Sequence, residues 1–541
     1  MSASSKESGT AESQPSAANA PGLGRSWLAS SIGIFASRIS GLARDVASAW
    51  YWGATGICQA AYSIAFAVPN SLRQLFSEGA FTSAFVPMLS ERIATGQKED
   101  AWQLAHRAIT IQALAVTAVA AVFAACSWGL YLSGKFAQNE TTHLTLYILP
   151  LLMPFAVFIC SAGAFSAVLN SLKSFLLPSS VQIVFNLVQV LSIFLLAWGG
   201  LHNDDLRALY LFCGATLLGG ALELAILSLA ARRRGYRFRF IPDWRAPVVK
   251  ELCLRILPGV IGAGVMQINS LVDKCFSLYL GSAAIGGLNY SHRLVYLPIG
   301  IFAVAMGNAA LPALSRAQAR GDKDAVASAF TYAMRTILFF ALPCTFFLAT
   351  SGRDVISLLF ARGAFNKVAI QETYWALCFY LFGMPAFCLA KVVTTPFHAR
   401  KDTKTPMLVS VACLLLNIVL NAILMFPLRQ GGLALATSIC SWLNIIILLM
   451  FNRRHLPQWS CWNAIREAFP LLELAIIAAI ITDFAMQYLP AFLPASEAFM
   501  GYLLQVFFAL AITCAIYLSG CRLLQRPELR DLMSIFRRRK S

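Results

Sequence analysis

Four arginines stand inside or beside apolar sequence: Arg38 and Arg44 in "IFASRISGLARDVASAWY", Arg73 in "PNSLRQLFSEGAFTSAFVP", and Arg293 in "NYSHRLVYLP". A guanidinium stays charged and offers paired N–H donors in one plane, the geometry that grips a phosphate or carboxylate by two bonds. Asp45 and Glu78 lie in the same segments, so acids are at hand to orient or offset those cations. The chemistry this predicts is anion binding. There is no G-x-x-x-x-G-K-[ST] loop for nucleotide hydrolysis, no C-x-x-C pair and no Cys/His cluster in the chain. The 14 cysteines are scattered through apolar stretches as small hydrophobes.

The helices that carry these groups must place them. At about 3.6 residues per turn, Arg38, Gly41 and Asp45 share a face while Arg44 points roughly 120° away. This predicts that Arg38 and Asp45 partly neutralise each other and that Arg44 has no partner on its own helix. Arg73 and Glu78 are about 140° apart on a regular helix, so they converge only if Pro69 or Gly79 bends the segment. Further along, "MQINSLVDKCF" holds Gln267, Asn269, Asp273 and Lys274, and His292 precedes Arg293. A charge at the centre of a bilayer costs roughly 2.5 to 3.5 kcal/mol. Any one of these residues could snorkel to the surface. As a set, on helices interrupted by Gly and Pro, they predict a water-filled cationic cavity.

The rest of the chain reads as membrane. Its 541 residues are 58% hydrophobic and 13% charged, with a mean hydropathy of +0.66. Apolar stretches long enough to cross a bilayer, about 20 residues, recur throughout, and unpaired backbone is not tolerated in lipid, so they must be helices. About fourteen spans are expected, starting near Ser26, Gly56, Trp102, Thr142, Leu177, Leu206, Val249, Ala284, Ala325, Val368, Thr405, Gly432, Ala464 and Phe499. The net charge of +18 is concentrated in alternate loops, such as "ARRRGYRFRF", "ARKDTK", "NRRH" and "FRRRK". That pattern places both termini in the cytoplasm and argues against nucleic acid as the partner. Residues 1–25 read as a disordered tail rather than a signal peptide.

Two internal similarities organise the spans. "FVPMLSER" at Phe85 and "ALPALSRA" at Ala310 close the second and eighth; "NSLKSFLLPSS" and "HARKDTKTPML" lead into spans containing Asn186 and Asn417. An all-α polytopic membrane protein follows, with two similarly oriented six-helix halves around a central cavity and two added C-terminal helices. The expected divisions are a first lobe at 26–231, a basic linker at 232–248, a second lobe at 249–455, the added pair at 456–522 and a basic cytoplasmic tail at 523–541. The linker reads as a solvated loop, and "DWRAPVVKELCLRILP" as an interfacial helix leading into the seventh span.

"SRISGLARD", "FAVPNSLRQLFSEGAFTSAFVPMLSE", "YSHRLVYLPIGIFAVAMGNAALPALS" and "ARKDTKTP" resemble the MurJ (MviN) family of lipid II flippases, within the multidrug/oligosaccharidyl-lipid/polysaccharide exporter superfamily. The resemblance spans nearly the whole chain after the tail. It implies a transporter, not an enzyme, in the bacterial inner membrane, acting in peptidoglycan and cell-wall biogenesis. Alternating access would carry lipid II, an undecaprenyl-diphosphate-linked disaccharide peptide, from the cytoplasmic to the periplasmic leaflet. The family's essential cavity arginines match Arg38, Arg44, Arg73 and Arg293, and its motif acids match Asp45 and Glu78. The implied partners are lipid II, membrane lipids and proteins of cell-wall synthesis or division.

The chain departs from the family pattern at Gln74, where a second arginine is common, and at Gln59 and His292, where acids occur. Some members hold sodium at positions matching Asp273, Asn417, Asn421 and Thr437. Here an amide, Asn421, stands where a carboxylate is expected, and helix-to-helix hydrogen bonding is the alternative. Competing readings are an exporter of another polyprenyl-diphosphate-linked glycan and a drug/cation antiporter of the superfamily. An antiporter calls for acids rather than arginines facing its substrate.

Overall fold

The computed structural model describes residues 23–300, 310, 314–400, 402–455, 459–488 and 499–538. Most of the N-terminal tail, residues 311–313 of the second Pro-x-Leu-Ser copy and the last three residues of the basic tail lie outside them. Among the described residues the chain is helical. The first lobe contains α1 (Leu23–Trp52), α2 (Ile57–Arg73), α3 (Ala80–Ala94), α4 (Lys98–Leu132), α5 (Glu140–Ser171), α6 (Leu176–Ser180), α7 (Gln182–Trp198) and α8 (Leu206–Arg233). The second contains α9 (Pro247–Leu280), α10 (Ser282–Pro298), α11 (Lys323–Phe360), α12 (Lys367–Val393), α13 (Thr395–Ala399), α14 (Lys404–Leu428) and α15 (Gln430–His455). Then come α16 (Cys461–Tyr488), α17 (Phe499–Leu523) and α18 (Pro527–Arg538).

Among the described residues ten helical segments are long and apolar enough to cross a membrane, by length and composition, and each begins within four residues of an expected span start. The four expected spans outside that set correspond to α1, α2 with α3, α9, and α10. These carry the Arg, Asp, Glu and Lys residues singled out above, so the groups that could do chemistry are what lowers their hydropathy. Helix starts are set locally by side-chain caps: Asn139, Asp322 and Asn366 accept from the backbone N–H three residues on, at 3.0, 2.9 and 2.9 Å.

Each lobe has its own apolar packing. Ile148, Leu152, Ile193, Leu209 and Phe212 centre one cluster of the first lobe. Phe330, Ile337, Leu377, Met384 and Leu433 centre the cluster of the second, which also takes in Ala49 and Ala54 from the first. The added pair packs on α11 through Phe339, Leu342, Leu471, Ala475 and Tyr517.

The basic linker is not simply solvated. Tyr236 is buried, and its hydroxyl lies 3.1 Å from His106 Nδ1. The Arg239 N–H donates to the same nitrogen at 3.2 Å, the Ile241 N–H donates to Thr110 Oγ1 at 3.1 Å, and Arg107 pairs with Asp243 at 3.3 Å. One edge of the linker is thus strapped along α4 while Arg237, Phe238 and Arg239 stay exposed. Pro247 at the first turn of α9 starts a single 34-residue helix, so the expected interfacial helix and the span are continuous.

The lobes meet closely at one end. The Ala364 N–H donates to Trp50 O at 2.9 Å, Ser282 Oγ to Thr55 O at 2.6 Å, and Asn139 Nδ2 to Leu278 O at 3.1 Å. A Cβ on Gly286 would run into the Ala54 carbonyl of the other lobe; within the second lobe, one on Gly287 would lie 2.8 Å from Glu372 O. Only glycine permits this backbone-to-backbone approach.

Candidate functional site

Arg44 and Asp45 are neighbours on α1, yet they pair. Arg44 Nε and Nη2 both donate to Asp45 Oδ1, at 3.1 and 2.9 Å, and Arg44 Nη1 donates to Asn186 Oδ1 at 3.2 Å. The Asn186 amide is oriented by donating to Ser40 Oγ at 2.9 Å. The other carboxylate oxygen, Asp45 Oδ2, accepts from Arg293 of α10. A buried carboxylate is therefore held between two guanidiniums, one from each lobe, and the trio keeps a net positive charge.

This corrects the expectation that Arg38 neutralises Asp45 and that Arg44 lacks a partner. Seven residues of helix separate Arg38 from Asp45 by about 10.5 Å along the axis, too far to pair. The long arginine stem instead folds Arg44 back onto its neighbour. Arg38 is exposed, and its guanidinium lies where a Cβ on Gly300 would be.

Arg73 ends α2, and its Nε donates to Asn70 Oδ1 at 3.1 Å. Pro69 is accommodated within α2; the bend comes after it, in a π-helical turn over Gln74–Glu78 that ends at Gly79 with φ −96° and ψ −84°. Such turns widen the helix and re-aim what it carries. The Glu78 side chain lies outside the described residues. Gln74 accepts from Gln267 Nε2 at 2.8 Å, an uncharged link from first lobe to second.

All four arginines and Asp45 line one cavity of about 940 Å³. Lys274 and Glu223 also line it, giving five cations against two carboxylates among the described residues. Glu223 is a buried acid absent from the set expected from sequence; its only sign there is a single charge in "GGALELAIL". The first lobe adds a neutral polar wall, where Tyr62 Oη and Thr216 Oγ1 are 2.9 Å apart and Gln189 Nε2 donates to Thr216 Oγ1 at 2.7 Å. The cavity reaches Asn170 on α5 and Pro178 and Ser179 on α6, away from the sealed end. His292 lines it as well, stacked on Tyr296 with ring centroids 4.1 Å apart. Lys391 is exposed and is not part of the lining.

A second cluster gathers Asp273, Asn417, Asn421 and Thr437. Asp273 Oδ1 accepts from Asn421 Nδ2 at 2.6 Å, and Oδ2 from Thr437 Oγ1 at 3.1 Å. Asn421 Nδ2 also reaches Asn417 Oδ1 at 2.9 Å. Asn421 Oδ1 is buried with no hydrogen-bond partner among the described residues. The cluster therefore has an unsatisfied oxygen beside a carboxylate, a donor set that suits a hard cation.

A family model described as lipid II flippase MurJ matches residues 49–503. A probable lipid II flippase MurJ from Vibrio cholerae serotype O1 is 31% identical over 462 residues, 82% of this chain and 85% of that protein. A lipid II flippase MurJ from Burkholderia cenocepacia is 27% identical over 492 residues, 84% and 93% of the two chains. Among solved structures, a lipid II flippase MurJ in an inward closed conformation superposes with a TM-score of 0.75 at 24% identity, over 92% of this chain and all of that one. An inward-facing multidrug transporter of the MATE family gives 0.65 at 13% identity, over 80% and 98%. At these identities the structural likenesses speak for the fold.

Proposed function

The chain belongs to the lipid II flippase MurJ family, and on that premise we propose that it moves lipid II from the cytoplasmic to the periplasmic leaflet of the bacterial inner membrane by alternating access. The observation that carries this reading is the Arg44–Asp45–Arg293 bridge facing a cationic cavity between the lobes. A diphosphate presents the kind of oxygens that Asp45 presents to the two arginines, so it can take over their donors when the headgroup enters. Arg73 and Arg38 extend the positive surface toward the rest of the headgroup, with Glu78 beside Arg73 in sequence to offset it. The hydroxyl and amide wall suits sugar and peptide groups, while the lipid tail stays in the bilayer.

The sealed end is taken as periplasmic, with both termini cytoplasmic as the basic loops predict. In that orientation the cavity faces the cytoplasm. Opening the sealed end requires breaking its hydrogen bonds and separating Gly286 from the Ala54 carbonyl, and binding energy at Arg44 and Arg293 is positioned to bias that change. An exporter of cationic drugs is disfavoured by the excess of cations over carboxylates among the described lining residues.

Asp273, Asn417, Asn421 and Thr437 are proposed to hold sodium, whose charge would be neutralised by the Asp273 carboxylate. These residues join α9, α14 and α15, so the ion would tie helices of the second lobe together.

The test is complementation. A bacterium depleted of its native lipid II flippase is given this chain, or its Arg44→Ala and Arg293→Ala variants at equal membrane levels. Rescue by the unaltered chain and failure of both variants is expected. Failure of a well-expressed unaltered chain, or equal rescue by the variants, overturns the reading.

A further inference from the structure

Lys274 follows Asp273 directly on α9, yet the two side chains serve different places. Asp273 turns to Asn421 and Thr437. Lys274 lines the central cavity, where its Nζ donates to Asn289 Oδ1 at 3.1 Å. Asn289 and Arg293 stand four residues apart on α10, hence on one helical face. The ammonium is thus brought beside the guanidinium that bridges the lobes.

Two ordinary explanations for an intramembrane lysine leave the position of its ammonium unaccounted for. Snorkelling would carry the ammonium out to the surface, but Asn289 holds it in the cavity. As a counter-ion to Asp273 it acts only at longer range, since no close ion pair joins the two among the described residues and the ammonium is turned to Asn289 instead. The ammonium has three donors, and Asn289 takes one; no other hydrogen-bond or ion-pair partner of the Lys274 ammonium occurs among the described residues. Placing a second cation near Arg293 is unfavourable by itself, and a lysine within a span adds its own cost. An anion entering the cavity would offset both.

We propose that Lys274, positioned by Asn289, is a further ligand for the anionic oxygens of the lipid-linked headgroup, phosphate or peptide carboxylate. This rests on the reading of the cavity as the lipid II site. It gives the second lobe two cations with different duties. Arg293 is pre-engaged with Asp45 and bridges the lobes, whereas Lys274 is a point charge whose remaining donors await the ligand.

The experiment measures binding of two probes to the purified full chain: undecaprenyl diphosphate, which lacks the peptide, and lipid II. Lys274→Met is expected to weaken binding about tenfold or more, while Lys274→Arg stays within a few-fold of the unaltered chain. Lys274→Gln replaces the methionine variant if that one does not fold. Equal loss for both probes assigns the contact to the diphosphate, and loss with lipid II alone assigns it to a peptide carboxylate. Asn289→Ala should weaken binding in the unaltered background and add nothing to Lys274→Met, a non-additivity that general loosening of the fold would not produce. Binding by Lys274→Met equal to the unaltered chain, with Arg293→Ala defective, overturns the proposal. If Arg293→Ala also binds normally, the underlying reading of the cavity is what fails.

Discussion

Asp45 and Arg293 are separated by 248 positions in the chain and joined by an ion pair across the two lobes. The same carboxylate holds Arg44, so one acid organises two cations that would otherwise repel each other. Asp45→Asn keeps the shape and removes that charge. The expected result is a protein that inserts but does not rescue a flippase-depleted cell, and whose sealed end separates more readily. A cysteine at Thr55, labelled from outside by a membrane-impermeant thiol reagent, would report the separation. Unchanged labelling and full rescue would show that Asp45 is not the link between the lobes.

Much of this site was legible in the sequence because a charge within apolar sequence needs a reason, and Arg38, Arg44, Arg73 and Arg293 each break an apolar run. Their pairing was not. Helical angles separate Arg44 from Asp45, and only the length and flexibility of the arginine stem reunite them. The link between Gln74 and Gln267 was equally hidden, since a glutamine carries no charge to mark its partner. Gly286 is readable as a glycine, but the carbonyl it must clear belongs to Ala54 on another helix. That information lies in the packing of the lobes.

The cluster around Asp273 gives a prediction separable from lipid binding. If it holds sodium, replacing potassium chloride by sodium chloride should raise the melting temperature of the purified chain, because an ion that binds only the folded state stabilises it. Asp273→Asn should abolish the difference. A melting temperature indifferent to sodium in the unaltered chain would leave Asn417, Asn421 and Thr437 as helix-to-helix hydrogen bonds.

Gly286 tests the sealed end directly. Gly286→Ala places a methyl group against the Ala54 carbonyl, and overpacking of this kind costs about 1 to 3 kcal/mol. If the cost falls only on the sealed arrangement, the population shifts about 5- to 150-fold toward the separated one. The Thr55 cysteine should then label faster from outside. Gly214→Ala is the control, since a Cβ there meets nothing within 4 Å. Equal labelling of the two variants would mean that the sealed end relaxes around the methyl group.

The added helices are fixed to the second lobe by charge as well as by apolar packing. Arg335 of α11 donates to Glu528 of α18 at 2.7 Å and to Glu467 of α16 at 2.8 Å. Arg526 reaches the Glu467 carbonyl at 2.5 Å and Glu528 at 3.5 Å. The Glu528 side chain is only 1% exposed, whereas that of Glu467 is 45% exposed, and this difference ranks the substitutions. Arg335→Met leaves a buried carboxylate with one distant partner, a loss of about 3 to 5 kcal/mol where the charge stays in place. Glu467→Gln removes a half-exposed pair worth about 0 to 1 kcal/mol. Hydrogen exchange over 527–538 should therefore rise strongly in Arg335→Met and little in Glu467→Gln. Glu528→Gln should fall between them, because Arg335 keeps Glu467. Equal exchange in all three would mean that the apolar cluster Leu529 shares with residues of α11, α16 and α17 holds α18 without help from the charges.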